Sequence, residues 1–327
     1  MKAWILEGLN GIDSMRLGEL PDPKAGANEV VVRVQFAALN PADRYLAQGH
    51  YPAKPPFPHV LGRDGIGIVE QVGSDVTGHG VGDELVVLRG ETGVTRRGMF
   101  AERVAVQVDW LIPKPPEWTP QQAASAPLVY VTAYQALTQW GELPHAVVLV
   151  TGASGGVGVA SIQLGAALGH VLIGLSRSAE KSKILLGQGA AACFNPQDEQ
   201  WQQKLFDFLG HRRVDLAIDN IAGTLLPQVL ETLAPNGRVS SVGQLAGPVP
   251  QFNVGKLFFR RLRIGGVAVS TYTVAESRTA WEQIVAALDR TTRRPLVDHV
   301  YPFEQLPDAF ARLAEGPMGK VLIAGPG

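Results

Sequence analysis

Residues 146–158, AVVLVTGASGGVG, constrain this chain more than any other stretch. A short apolar, β-branched run gives way to residues that tolerate unusual backbone angles, so the segment reads as a buried strand, a glycine turn and a helix start. Residues 159–168 (VASIQLGAAL) then recur with helical spacing. Unpaired amides and the positive dipole end at such a helix start favour an anion. Ala153, Gly155 and Gly158 fit the fingerprint G-x-G-x-x-G with alanine in the first place. The glycine pattern alone is weak. A strand before it, a helix after it and a second strand at the expected distance make a dinucleotide site of it. The amides of Ser154, Gly155, Gly156 and Val157 would then face the pyrophosphate; a glycine-rich loop without a ligand is the alternative.

The second strand, 171–175 (VLIGL), is followed by Ser176 and Arg177, with Lys181 one turn later. An NAD site places an acidic residue at this strand end to hold the ribose hydroxyls. A carboxylate would repel a 2′-phosphate, whereas a guanidinium pairs with it, each charged hydrogen bond contributing roughly 1.5–3 kcal/mol. Ser176, Arg177 and Lys181 therefore predict NADP(H), against the alternative of Arg177 as an ordinary solvated charge.

The 327 residues suffice for two domains, and 46% hydrophobic against 18% charged residues excludes a disordered chain. A net charge of -1 gives no overall field to recruit nucleic acid or an anionic membrane. The single cysteine, Cys193, excludes an internal disulfide and a cysteine-built zinc site. No signal peptide and no apolar run of membrane-spanning length is seen, so the expected location is the cytosol.

Residues 1 to about 122 read as all-β, with strands at 2–6, 29–36, 65–73, 84–88 and 100–106 punctuated by Pro and Gly as in a small barrel. The run Pro113-Lys114-Pro115-Pro116 reads as a hinge closing this part. Residues 123–265 alternate strand and helix, giving an α/β, doubly wound parallel sheet with 263–269 as its sixth strand. The remainder, 266–327, holds an amphipathic helix at 274–288 and is expected to return to the first domain, making that domain discontinuous.

The motifs Asn40-Pro41-Ala42-Asp43, Gln48-Gly49-His50-Tyr51-Pro52, residues 61–67 (LGRDGIG), Gly82-Asp83-Glu84, Val131-Thr132-Ala133-Tyr134, residues 152–158 and Gly319-Lys320 together resemble the medium-chain dehydrogenase/reductases. The chain is most similar to their zinc-free quinone oxidoreductase branch, over essentially its whole length. The resemblance implies a GroES-like β-barrel catalytic domain beside a Rossmann domain. Zinc-dependent members carry Cys where Asn40 stands and Gly-His-Glu where Gly62-Arg63-Asp64 stands, and residues 89–99 lack the four-cysteine lobe. No bound zinc is therefore expected. The resemblance also implies that Asn40 lies near the nicotinamide, donating its amide to an oxyanion or only forming the turn before Pro41. Thr132, Val242, Gly243 and Val267 are implied at the dinucleotide, and Lys320 near the adenosine phosphate. Several relatives carry Tyr after the residue matching Asn195; Pro196 stands here, which leaves more of the phosphate recognition to Arg177 and Lys181.

Zinc in an alcohol dehydrogenase lowers the alcohol's pKa and polarises the carbonyl. Without it the acceptor must already be electrophilic, as a quinone or an α,β-unsaturated carbonyl is. Tyr51 matches the segment in which related enoyl thioester reductases hold a proton-donating tyrosine, so it either donates or lines the pocket; Tyr45 and Tyr130 would add aromatic walls. Three readings follow: an NADPH:quinone oxidoreductase, an NADPH-dependent reductase of enals, enones or enoyl thioesters, and an NADPH-binding protein of little turnover. The resemblance further implies a homodimer pairing the edge strands at 264–269. No role for Arg63 follows from the sequence.

Overall fold

The computed structural model describes residues 1–88, 90–248 and 250–326. Its elements, in chain order, begin with β1 (Lys2–Ile5), β2 (Arg16–Glu19), β3 (Glu29–Ala38), α1 (Pro41–Ala47), β4 (Asp64–Val72), β5 (Glu84–Val87), β6 (Arg103–Gln107), β7 (Leu111–Pro113) and α2 (Pro120–Ser125). After α3 (Pro127–Thr138) come β8 (Val147–Val150), α4 (Gly156–Ala167), β9 (Val171–Leu175), α5 (Ala179–Gly187), β10 (Ala190–Phe194), α6 (Trp201–Leu209), β11 (Val214–Asp219), α7 (Leu225–Thr232), β12 (Leu233–Ser241), α8 (Gly255–Arg260) and β13 (Arg263–Gly266). The chain ends with α9 (Val274–Asp289), β14 (Val297–Tyr301), α10 (Leu306–Ala314) and β15 (Lys320–Ala324). It divides into two compact units, one of Met1–Leu128, Tyr272–Thr279 and Arg294–Gly327, the other of Val129–Thr271 and Ala280–Arg293. The proline run at 113–116 lies inside the first unit, and α9 is shared between the two.

The first unit is built on β3. Its run EVVVRVQFAA is β-branched and almost continuously buried, as a strand paired on both edges must be. One edge pairs with β4. The other is divided: Glu29–Arg33 pair with β6 and Phe36–Ala38 with β15. The sheet has seven strands whose pairing path runs β14-β15-β3-β4-β5-β7, with β6 branching from β3. Where the sequence suggests a small barrel, the pairing is this branched path. Its core joins Trp4, Leu39, Phe100, Leu111, Phe303 and Phe310. Phe100 meets Phe310 edge-on at 5.9 Å, and Trp4 Nε1–H donates to Phe303 O at 2.9 Å.

The second unit is a six-stranded parallel sheet in the order β10-β9-β8-β11-β12-β13. All of β8 is buried, and alternate residues Val147 and Leu149 face a core shared with Trp201, Leu205, Val229 and Leu230 of α6 and α7. The strand order reverses beside β8, the place where such sheets open a crevice at their carboxyl ends. The glycine turn follows there, and α4 begins at Gly156 with Gly155 as its cap.

Gly158 fixes how close α4 comes to the turn. A Cβ at this position would lie 2.4 Å from the Gly152 carbonyl oxygen, whereas one at Gly155 would meet only that oxygen at 3.5 Å. Gly158→Ala is expected to destabilise the protein by about 1–3 kcal/mol through overpacking, and Gly155→Ala by clearly less. Urea unfolding of the two variants checks this; equal losses would contradict the packing account.

Candidate functional site

In the first unit, β3 ends at Ala38 and α1 starts at Pro41, so Asn40 sits at a strand-to-helix corner. Its backbone N–H donates to Asp43 Oδ2 at 2.9 Å. Its side-chain amide donates to Asp64 Oδ2 at 3.0 Å and to Ala38 O at 3.3 Å. Asn40 Oδ1 accepts from the Lys320 ammonium at 2.6 Å, and that ammonium also donates to Leu39 O at 2.8 Å and reaches Asp64 Oδ2 at 3.4 Å. The Leu128 N–H donates to Asp64 Oδ1 at 3.1 Å. Partners that only donate or only accept leave the amide no other orientation.

This cluster is buried: Lys320 and Asp64 side chains are 5% and 1% exposed. Burial lowers the Lys320 pKa, an effect that Asp64 and Asp43 partly offset. Burial raises Asp43 to about 6, opposed by the Arg63 charge, the Asn40 N–H and Lys320. Asp43 Oδ1 has no hydrogen-bond partner among the described residues.

Two sequence expectations are corrected here. The Asn40 amide is spent on Asp64 and Ala38, so it has no donor left for an oxyanion or for the nicotinamide. Lys320 is not a surface cation for an adenosine phosphate; its ammonium is enclosed by three oxygens of the same unit. A zinc ion fits this place poorly on its donor chemistry. The corner offers two carboxylates, Asp64 paired with an ammonium and Asp43 bonded to the Asn40 N–H, together with an amide, and Lys320 and Arg63 already place two cations beside them. Among the described residues no three His, Cys, Asp or Glu side chains group as metal ligands.

Tyr51 follows α1 in an irregular segment and packs its ring against the first unit's core. Both terminal nitrogens of Arg63 donate to its Oη, each at 3.2 Å, and the guanidinium carbon lies 5.0 Å from the ring centroid. Tyr45 is half-buried on α1.

In the second unit the remaining candidates gather at the carboxyl ends of the strands. Ser154–Val157 follow β8, half-buried, where first-turn amides of α4 have no intrahelical acceptor. Ser176 and Arg177 follow β9; Ser176 is buried and donates to Ser178 O at 3.3 Å. Arg177 is exposed and makes no hydrogen bond or ion pair among the described residues. Lys181 lies in the first turn of α5, its N–H held by Ser178 Oγ at 3.3 Å. Val242 and Gly243 follow β12 and donate their N–H groups to Asp219 O at 2.8 and 3.2 Å. Val267 follows β13, donating to Ser241 O at 2.9 Å. An open glycine turn at a helix start and a free guanidinium at the next strand end suit a phosphorylated dinucleotide. Thr132 is buried on α3. Tyr130 is a core residue rather than a pocket wall: it is 2% exposed and its hydroxyl donates to Gln163 of α4.

Sequence reasoning missed Asp64 and the part played by Arg63. The available signal was a lone Lys heading the apolar strand at 320–324 and an Asp heading the glycine-rich strand at 64–72, two opposite charges in two buried strands.

Residues 26–116 match the family described as "Alcohol dehydrogenase GroES-like domain", and residues 156–289 the family described as "Zinc-binding dehydrogenase". The quinone oxidoreductase of Sus scrofa is 30% identical over 311 residues, covering 93% of this chain and 91% of the relative. The acryloyl-coenzyme A reductase of Sulfurisphaera tokodaii is 29% identical over 348 residues, 99% of each chain. The crystal structure of Escherichia coli quinone oxidoreductase complexed with NADPH superposes with a TM-score of 0.88 at 25% identity, covering 99% of this chain and 100% of that one. The chain belongs to the medium-chain dehydrogenase/reductases and is an enzyme of the quinone oxidoreductase type.

Burial gives the first unit two opposed acid responses. In the fold Asp43 titrates at about 6 against an ordinary 3.8, so its native state gains stability, of order 3 kcal/mol in full, as pH falls through that window, and loses it as pH rises through about 6. His59, held to about 4 against an ordinary 6.5 by burial, has the reverse sign and loses stability as pH falls. Asp43→Asn removes the first effect alone. Urea-unfolding stability of the variant should therefore fall more steeply than wild type between about pH 6 and 4; parallel curves would contradict the assignment.

Proposed function

We propose that this enzyme is an NADPH-dependent, zinc-independent oxidoreductase that passes hydride to a quinone or a similarly electron-poor small molecule. The observation that carries the reading is the Lys320 ammonium seated on Asn40 and Asp64, in the corner where zinc-dependent relatives hold a metal ligand. A fixed ammonium with its protons already donated does not polarise an alcohol or a plain carbonyl, so the acceptor must bring its own electrophilicity. The nicotinamide, when bound, supplies the hydride. The chain supplies the binding: amides of residues 154–157 for the pyrophosphate, and Ser176, Arg177 and Lys181 for the 2′-phosphate. Val242, Gly243 and Val267 border the same crevice, and Thr132 would contact the nicotinamide. The whole-length similarity to quinone oxidoreductases and the NADPH held by the E. coli structure support the same reading.

A second reading, reduction of a conjugated double bond, is favoured by the Tyr51–Arg63 pair and by the similarity to acryloyl-coenzyme A reductase. The phenol oxygen is occupied as an acceptor, so its own O–H is left to donate. Tyr45 would flank the acceptor.

The test is a steady-state comparison of NADPH with NADH, using 1,4-benzoquinone and 2-cyclohexenone as acceptors. Wild type should prefer NADPH at least tenfold in kcat/KM, and Arg177→Ala should lose most of that preference, each lost charged contact being worth roughly 1.5–3 kcal/mol. Equal use of both coenzymes by wild type, or stoichiometric zinc in the active protein, would overturn the reading.

We also propose a homodimer in which β13 of two copies pair edge to edge. That strand is bonded on one side only, to β12, and Ile264 on it and Phe259 beside it are 40% and 83% exposed. Solution scattering should return the mass of two chains, and Ile264→Lys the mass of one; a monomeric wild type would exclude the dimer.

A further inference from the structure

Arg63 has two neighbours of consequence, and its backbone is held unusually firmly. Gly62 has φ +97°, and a Cβ there would lie 2.9 Å from the Phe100 nitrogen. Its carbonyl accepts the Met99 N–H at 2.8 Å, and Leu61 O accepts the Phe100 N–H at 3.0 Å. Asp64, next in the chain, opens β4 and is locked into the Lys320 cluster. Arg63 thus projects from a fixed strand end. Tyr51 does not: it stands in an irregular stretch between α1 and β4, followed by exposed Pro52, Lys54 and Pro56. The strand-end member therefore orients the loop member, and not the reverse.

We infer that Arg63 is the positioning residue of Tyr51, directing its hydroxyl proton outward and holding the phenolate that remains once the proton has left. Two guanidinium N–H groups converge on Oη at 3.2 Å each, from a position over the ring face. Donors on that side leave the O–H bond only directions away from Arg63. Charge-assisted donors bind a phenolate more strongly than a phenol. The chemistry is confined to acceptors that need a proton on carbon. Hydride from the reduced nicotinamide adds to the β-carbon of an enone or enoyl thioester, and the displaced π-electron pair makes the α-carbon basic. The Tyr51 O–H bond breaks, the proton forms the α C–H bond, and water returns a proton to the phenolate. The substrate is reduced by two electrons and the nicotinamide oxidised by two. A quinone takes its protons on oxygen, from solvent, and has no need of the pair. The inference rests on the double-bond reading above and assigns Arg63 a part that neither the fold nor the relatives' names supply.

The experiment uses the full chain with NADPH and compares Arg63→Met, Arg63→Lys, Tyr51→Phe and the double variant Tyr51→Phe/Arg63→Met. With 2-cyclohexenone, Arg63→Met should lower kcat by roughly 10–100-fold, a part of the roughly 100- to 10,000-fold that a placed general acid contributes, with KM for NADPH unchanged. Arg63→Lys should recover part of the loss, and the double variant should be no slower than Tyr51→Phe alone, because two residues acting as one unit are non-additive. With 1,4-benzoquinone each variant should lose at least tenfold less than it loses with the enone, a proton on oxygen needing no placed donor. A second readout needs no turnover. The 19F resonance of 3-fluorotyrosine placed at position 51 should move on Arg63→Met and return most of the way with Arg63→Lys. An unmoved resonance overturns the inference whatever the rates. So does full additivity in the double variant, or equal losses on both acceptors. A wild type that reduces the quinone but never the enone, with the resonance still responsive, overturns the proton-transfer assignment and leaves the quinone reading standing.

Discussion

One buried ion pair organises the first unit. Lys320 and Asp64 come from strands on either side of β3, and Asn40 stands at that strand's end, so three segments meet on two opposite charges. Removing water from an ammonium and a carboxylate is costly, and their attraction repays it only when the remaining protons and lone pairs are also satisfied. Here Leu39 O, Asn40 Oδ1, Asn40 Nδ2 and the Leu128 N–H complete the set. Deleting one partner would strand the other, typically at about 3–5 kcal/mol. The corner is therefore rigid, and everything that issues from it inherits its position.

That rigidity divides labour within the unit. Asn40 and Lys320 spend their donors on structure and have none left for a ligand. Arg63, one residue along from Asp64, is held by the same backbone but points its charge at Tyr51. An ammonium that has donated its protons stabilises a carboxylate beside it and does little for a developing alkoxide.

Much of the second unit was legible in the sequence because its signals are local. The strand–turn–helix at 146–168, the strand at 171–175 and the residues at its end lie within one short span, and period and glycine placement specify them together. The helix expected at 274–288 is found at Val274–Asp289 for the same reason. The first unit was less legible. β2 and β7 are four and three residues long and gain strand character only from distant partners, Pro113 pairing with Leu85. The polar corner was hidden for a stronger version of that reason. Lys320 and Asn40 are 280 residues apart, and no spacing rule reaches across that distance. Reading Asn40 as a donor failed because free amide and saturated amide are identical in sequence. Tyr130, two residues before Thr132 on α3, was misplaced because an aromatic facing a core and one facing a ligand share the same helical period.

The divided edge of β3 has a bearing on how the molecule is made. Glu29–Arg33 can pair with β6 once residue 107 has been synthesised, but Phe36–Ala38 must wait for β15. The same late strand carries the only ammonium recorded on Asp64 among the described residues. On the ribosome, then, one edge of the longest strand stays open over its last three residues and a buried-to-be carboxylate lacks its ammonium, while the whole parallel-sheet unit can already have closed. The older part of the chain is completed by its newest part, and chaperones would meet the nascent enzyme with its amino-terminal half still waiting.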